Sequence, residues 1–184
     1  MHFDKPGRIF EADAIESSLT KIGDRILAEF KDRSQELLFL GIQRRGVPFA
    51  RRLSEYIQKK SGFEIPVGTL DITMYRDDIG MRKVLPVIHE TCIPDINGKI
   101  LILCDDVLQA GRTIRAALDA ITDFGRPAII RLAVLFDRGC HEFPIAADYV
   151  GEAVEIPDGF KISVHWMEID GADFVKILEK KIWR

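Results

Sequence analysis

The stretch LILCDDVLQAGRT, residues 101–113, limits what this chain can fold into more than any other. Four apolar residues run straight into two adjacent carboxylates, then into a small loop containing one glycine. Apolar residues then return at Ile114, Ala117, Leu118 and Ile121, the spacing of an amphipathic helix. A strand buried on both faces that ends in polar residues and feeds a helix belongs in a parallel sheet. In such sheets ligands bind at the carboxyl edge of the strands. The sequence therefore predicts a strand over Ile100–Cys104, with Asp105 and Asp106 at its carboxyl end.

The flanking segments read the same way. Ile15, Leu19, Ile22, Ile26 and Phe30 recur at steps of three and four, a first helix. Glu36–Ile42 is a short apolar run and predicts a strand. Ala50, Leu53 and Ile57 set a helical stripe that ends by Ser61 and Gly62. Further strands are predicted over Pro66–Ile72, Ala128–Phe136 and Lys161–Trp166, and a short closing helix over Asp173–Lys181. Gly125-Arg126-Pro127 stops the helix before it, because proline cannot continue the ladder. Strands alternating with helices argue for a single α/β domain over residues 1–184 with a mainly parallel central sheet. Residues 73–97 read as a long loop or β-arm, and loops of that length inside compact domains usually serve a function.

Composition removes several classes. The 184 residues are 47% apolar and 30% charged, enough for one well-buried core. No apolar stretch approaches membrane-spanning length, and the N-terminus lacks a basic flank followed by an apolar run, which points to a cytoplasmic protein without membrane partners. Cys92, Cys104 and Cys140 lie far apart with no C-x-x-C pair and read as structural. The four histidines are scattered and form no H-E-x-x-H, so a zinc centre is not expected. A net charge of -3 does not mark a general nucleic-acid binder. No G-x-G-x-x-G occurs, and the P-loop spacing of Gly41 and Gly46 is followed by Val47-Pro48 rather than Lys and Ser/Thr.

The acids and the loop after them offer a specific chemistry. The first turn of a helix presents unpaired N–H groups and the positive end of its dipole, so Gln109–Thr113 can hold a phosphate. Gly111 lets the backbone approach closely, and the Thr113 hydroxyl adds a hydrogen bond. Asp105 and Asp106 can accept from sugar hydroxyls or take Mg²⁺ through oxygen or water. A phosphate cradle beside a hydroxyl clamp describes a ribose 5-phosphate. Read locally, the same acids also suit an ordinary helix-entry loop.

LILCDDVLQAGRT resembles the 5-phosphoribosyl-1-pyrophosphate (PRPP) motif of type I phosphoribosyltransferases. GIQRRGVPFARRL, VGTLDITMYRDDI and LAVLFDRGCHEFPIAADYVG, in the same order and spacing, are similar to the PyrR family of bifunctional pyrimidine operon attenuators and uracil phosphoribosyltransferases. The resemblance spans roughly residues 10–170 and implies the type I fold, with a flexible arm over 73–97 and a small hood over about 136–160. It implies conversion of uracil and PRPP to UMP and pyrophosphate with Mg²⁺, held through the substrate near Asp105 rather than by direct protein ligation. Asp105, Asp106 and Arg76 would be the catalytic residues. PRPP would be bound by Gln43, Arg44, Arg45 and Gly46 on the pyrophosphate side, and by Gln109, Ala110, Gly111, Arg112 and Thr113 on the 5-phosphate side. Phe136, Asp137 and Arg138 would read the base. UMP or UTP as further ligands, and homodimers or larger homo-oligomers, are also implied.

Bland readings stand beside these roles. Arg44 and Arg45 also fit an exposed charged turn, Tyr75–Asp78 a charged surface hairpin, and Asp137 and Arg138 an ion pair with each other. Two departures matter. The family loop YTGRT reads QAGRT here, so Ala110 lacks a hydroxyl expected on the 5-phosphate. His141, Ala146 and Glu152 stand where Arg, Arg and Lys are usual in RNA-binding members, and residues 140–184 carry five Lys/Arg against nine Asp/Glu, which argues against attenuator RNA on that face. A nucleotide-sensing RNA regulator with weak catalysis, or a transferase for another base, are the alternatives.

Overall fold

The computed structural model describes residues 6–77 and 87–180. Five parallel strands form the central sheet: β2 (Leu37–Ile42), β3 (Val67–Leu70), β4 (Ile100–Leu108), β5 (Ile129–Asp137) and β6 (Tyr149–Ala153), in the order β3-β2-β4-β5-β6. Its helices are α1 (Ala12–Phe30), α2 (Gly46–Ser61) and α3 (Arg112–Ile121). β4 pairs with β2 through Leu37↔Ile100 to Gly41↔Cys104 and with β5 through Ile100↔Ile129 to Leu108↔Asp137. It is therefore central, and Ile100 to Cys104 are fully buried. Side chains of alternating direction enter two separate apolar layers. Ile100, Ile102 and Cys104 pack with Phe39, Phe49 and Leu53. Leu101 and Leu103 pack with Leu40, Ile114 and Ala117 on the opposite face.

A second, three-stranded antiparallel sheet, β1-β8-β7, joins the chain ends. It consists of β1 (Gly7–Glu11), β7 (Phe160–His165) and β8 (Phe174–Glu179), with the short helix α4 (Met167–Asp170) between the last two. The expected closing helix over Asp173–Lys181 is thus a strand. Its apolar residues Phe174, Val175, Ile177 and Leu178 fit a helical stripe and an alternating strand about equally well. Pairing decides between them. Ile177 lies opposite Gly7 on one side and Ile162 on the other, and Val175 and Ile177 are buried. β1 had no signal of its own and exists because β8 offers it an edge.

One further expectation changes. β4 does not stop at Cys104 but continues to Leu108, so both acids lie within a paired strand, with Asp105 opposite Val134 of β5. Of the three cysteines only Cys104 is buried, whereas Cys92 and Cys140 are exposed. Among the described residues no helix is long and apolar enough to cross a membrane. Replacing Ile177 by Ala should cost about 2–5 kcal/mol in urea unfolding, and Lys176→Ala under about 1 kcal/mol. Comparable losses at both positions would contradict the strand.

Candidate active site

The strand order places β2 between β3 and β4, so the connections leaving β2 and β4 diverge at one carboxyl edge. α2 begins there at unusually close range. A Cβ on Gly46 would collide with the carbonyl of Cys104 and lie 3.3 Å from the Asp105 Cα. A Cβ on Gly41 would lie 2.6 Å from the Val47 Cα. Only glycine at both positions lets the start of α2 rest on β4 beside the acids. The turn Gln43–Arg45 is thereby held next to Asp105 and Asp106, and its Gln43–Arg44 peptide is cis. The Gln43 N–H donates to the Leu70 carbonyl at 2.8 Å, fixing the turn to β3 as well.

A cavity of about 500 Å³ opens at this edge. Arg44, Arg45 and Arg76 line it together with Asp105, Asp106 and Thr113. Thr73 and His89, which sequence reasoning did not single out, also face it. Asp105 is 7% exposed and accepts from the Asp106 N–H at 3.0 Å. Burial pushes the Asp105 carboxyl well above the usual carboxylate range, and the charge of Asp106 pushes it further, while Arg76 pulls it back. Burial likewise raises Asp106, opposed by Arg45. The acids are thus costly to hold ionised, and the cleft supplies the cations that make it feasible.

The loop after β4 forms the second half of the site. Gly111 adopts the left-handed conformation, φ 87°, and starts α3, whose first-turn N–H groups take no side-chain cap. The Ala110 carbonyl accepts from the Glu142 and Phe143 N–H groups at 3.0 and 3.1 Å. With its amide turned toward these donors, the Gln109 oxygen accepts from Arg138 Nη1 at 2.8 Å and Lys180 Nζ at 3.1 Å. The Arg112 guanidinium turns away from the loop to Asp77 at 2.6 Å and Glu142 at 2.7 Å, leaving its main chain in the loop. A second cavity of about 310 Å³ is lined by Gln109–Ile114 and Lys161, and it shares Arg76, Val107 and Thr113 with the first. Arg76 Nη1 donates to Thr113 Oγ1 at 3.3 Å where the two cavities meet.

The arm and the base-reading trio fare differently. Tyr75 donates to Asp123 at 2.5 Å, Arg115 donates to the Tyr75 carbonyl, and Asp77 meets Arg112, so the start of the arm lies along α3. Asp78 falls outside the described residues. Phe136 is buried and stacks on Phe10 with centroids 5.2 Å apart. Asp137 accepts from the Gly139 N–H at 2.8 Å and sits 2.9 Å from His141 Nε2. Arg138, 3% exposed, donates to the Pro157 carbonyl at 3.0 Å. Asp137 and Arg138 therefore do not pair with each other, and none of the three side chains lines either cavity.

A profile of the phosphoribosyl transferase domain matches residues 8–168. The chain is 49% identical to the bifunctional protein PyrR of Pelotomaculum thermopropionicum over 94% of its own length and 95% of the relative's. It is 44% identical to the bifunctional protein PyrR of Deinococcus radiodurans, covering 93% of each. Its fold is similar to that of a hypoxanthine-guanine phosphoribosyltransferase from Bacillus anthracis, with TM-score 0.72, 16% identity, and coverage of 94% of this chain and 98% of that one. A hypoxanthine phosphoribosyltransferase from Staphylococcus aureus gives TM-score 0.70 at 18% identity, covering 94% and 91%.

The raised carboxyl of Asp105 has a consequence for stability. A folded-state value above the unfolded one means the folded chain holds its proton more tightly, so stability falls as pH rises through that window. Asp105→Asn keeps the acceptor for the Asp106 N–H and removes the charge. It should unfold at a higher temperature than the parent at pH 7.5, with the gap closing toward pH 4. A lower melting temperature at pH 7.5 would contradict this electrostatic reading.

Proposed function

The chain belongs to the phosphoribosyltransferase family, in its bifunctional PyrR branch, and from that premise we propose how its cleft converts uracil and PRPP to UMP and pyrophosphate. The observation that carries the reading is one cleft holding a buried acid, Asp105, and a half-buried one, Asp106, on β4, with a glycine-led helix start immediately after them. Asp105 and Asp106 accept hydrogen bonds from the ribose hydroxyls. The N–H groups of Gln109–Thr113 and the Thr113 hydroxyl take the 5-phosphate, and the Gln43–Gly46 turn takes the pyrophosphate. Arg76, between the two cavities, adds positive charge from the start of the arm.

Breaking the anomeric C–O bond builds positive charge on the sugar and negative charge on the pyrophosphate. Positioning and electrostatic stabilisation carry such a reaction, and no protein nucleophile is required. The residues fit Mg²⁺ as the family uses it. Two adjacent carboxylates, Asp105 and Asp106, face the cleft and offer oxygen acceptors beside the substrate. That suits an ion held mainly by substrate oxygens near Asp105. When bound, it neutralises charge on the pyrophosphate.

Because the Phe136, Asp137 and Arg138 side chains build the wall of the hood rather than enter the cavities, the reading of uracil falls to main-chain groups of that segment. Pyrimidine operon regulation is the second activity in this reading. RNA recognition by the face bearing His141, Ala146 and Glu152 is opposed by its want of fixed positive charge.

Purified protein with Mg²⁺, PRPP and each of uracil, hypoxanthine and guanine should form UMP from uracil in preference to the purine nucleotides; preference for a purine would reject the assignment. Ala110→Thr should lower the KM for PRPP roughly ten- to a hundredfold, the value of one hydrogen bond to a charged group. An unchanged KM would reject the phosphate role of that loop.

A further inference from the structure

We propose that Asp170 is a positioning residue for pyrophosphate transfer: it holds Arg45 in the attitude that faces the leaving group. The inference rests on the phosphoribosyltransferase reading above and adds to it a residue from the acidic C-terminal segment. Asp170 Oδ1 accepts from Arg45 Nη2 at 3.0 Å, across 125 positions of sequence. Its other oxygen accepts from the Trp166 N–H at 3.0 Å, so the carboxylate is fixed from two directions. Asp170 Oδ1 also lies 3.4 Å from His165 Nδ1. Burial holds that imidazole below its ordinary range, which leaves Arg45 as the cation facing Asp170 at neutral pH.

Arg45 is held on one side only. Its Nη2 is taken by Asp170, whereas Nη1 is buried without a hydrogen-bond partner among the described residues, and the guanidinium lines the cleft beside Asp106. The Arg45 side chain keeps 30% exposure where it lines the cleft, and a phosphate oxygen is a fitting acceptor for a guanidinium there. A free arginine would lose rotamer freedom when it bound such a group. Asp170 fixes the side chain beforehand, so that loss no longer falls on substrate binding.

The test is inhibition by pyrophosphate in the forward assay, with UMP binding measured alongside. Asp170→Asn retains an acceptor for the Trp166 N–H and removes the charge that holds Arg45. It should raise the inhibition constant for pyrophosphate and the KM for PRPP about tenfold, with the dissociation constant for UMP within twofold of the parent. In an Arg45→Ala background the same replacement should change the pyrophosphate constant less than twofold, because no guanidinium is left to hold. A parent protein that makes no UMP would sink the functional reading itself. An active parent in which Asp170→Asn leaves the pyrophosphate constant within twofold would overturn only the positioning role. Equal weakening of pyrophosphate and UMP, or failure of Asp170→Asn to fold, would assign Asp170 to structure alone and overturn the inference too.

Discussion

The backbone of Gly46 lies so close to the Cys104 carbonyl that no side chain fits between them, and the site follows from that contact. It seats the first residue of α2 on β4 at the point where the strand leaves the apolar core. The turn before α2 and the loop after β4 would otherwise be independent connections. Because both strands are parallel neighbours and the helix start rests on the second, the arginines of one connection are held over the acids of the other. Gly41 serves the same approach from the β2 side. A phosphate-rich sugar needs such an arrangement, with donors at both ends and acceptors in the middle.

The acids pull against the fold that presents them. Taking Asp105 fully and Asp106 partly out of water disfavours their ionised forms, and neither Arg45 nor Arg76 forms a bidentate pair with them in the described contacts. Arg45 is turned to Asp170 and Arg76 to Thr113. The cleft therefore holds charges of both signs that are near one another without being consumed by one another. This is the pattern of a site whose polar groups are completed by a ligand.

Much of this was legible in the sequence, and the reasons differ by element. The strand–acid–loop–helix order of residues 101–113 survives because each part has its own local signal: a continuous apolar run, charge, a glycine and a 3.6-residue period. The extent of β4 did not survive, because a strand that continues past the core into a ligand edge carries polar residues that look like its end. β8 also reads as a helix, because Phe174–Leu178 satisfies two periodicities and only its partners β1 and β7 select one. Asp137 and Arg138 look like a natural pair in sequence, yet neighbours in an extended chain point to opposite faces. Asp170 had no sequence signal, since nothing local ties it to a turn 125 positions earlier.

Calorimetric titration of Mg²⁺–PRPP into the protein without any base isolates the central claim, that the acid pair exists to hold the sugar. One site per chain is expected, with at least tenfold weaker binding in the Asp105→Asn, Asp106→Asn double variant with its fold intact. An affinity for PRPP equal to that of the parent in the folded double variant would contradict it.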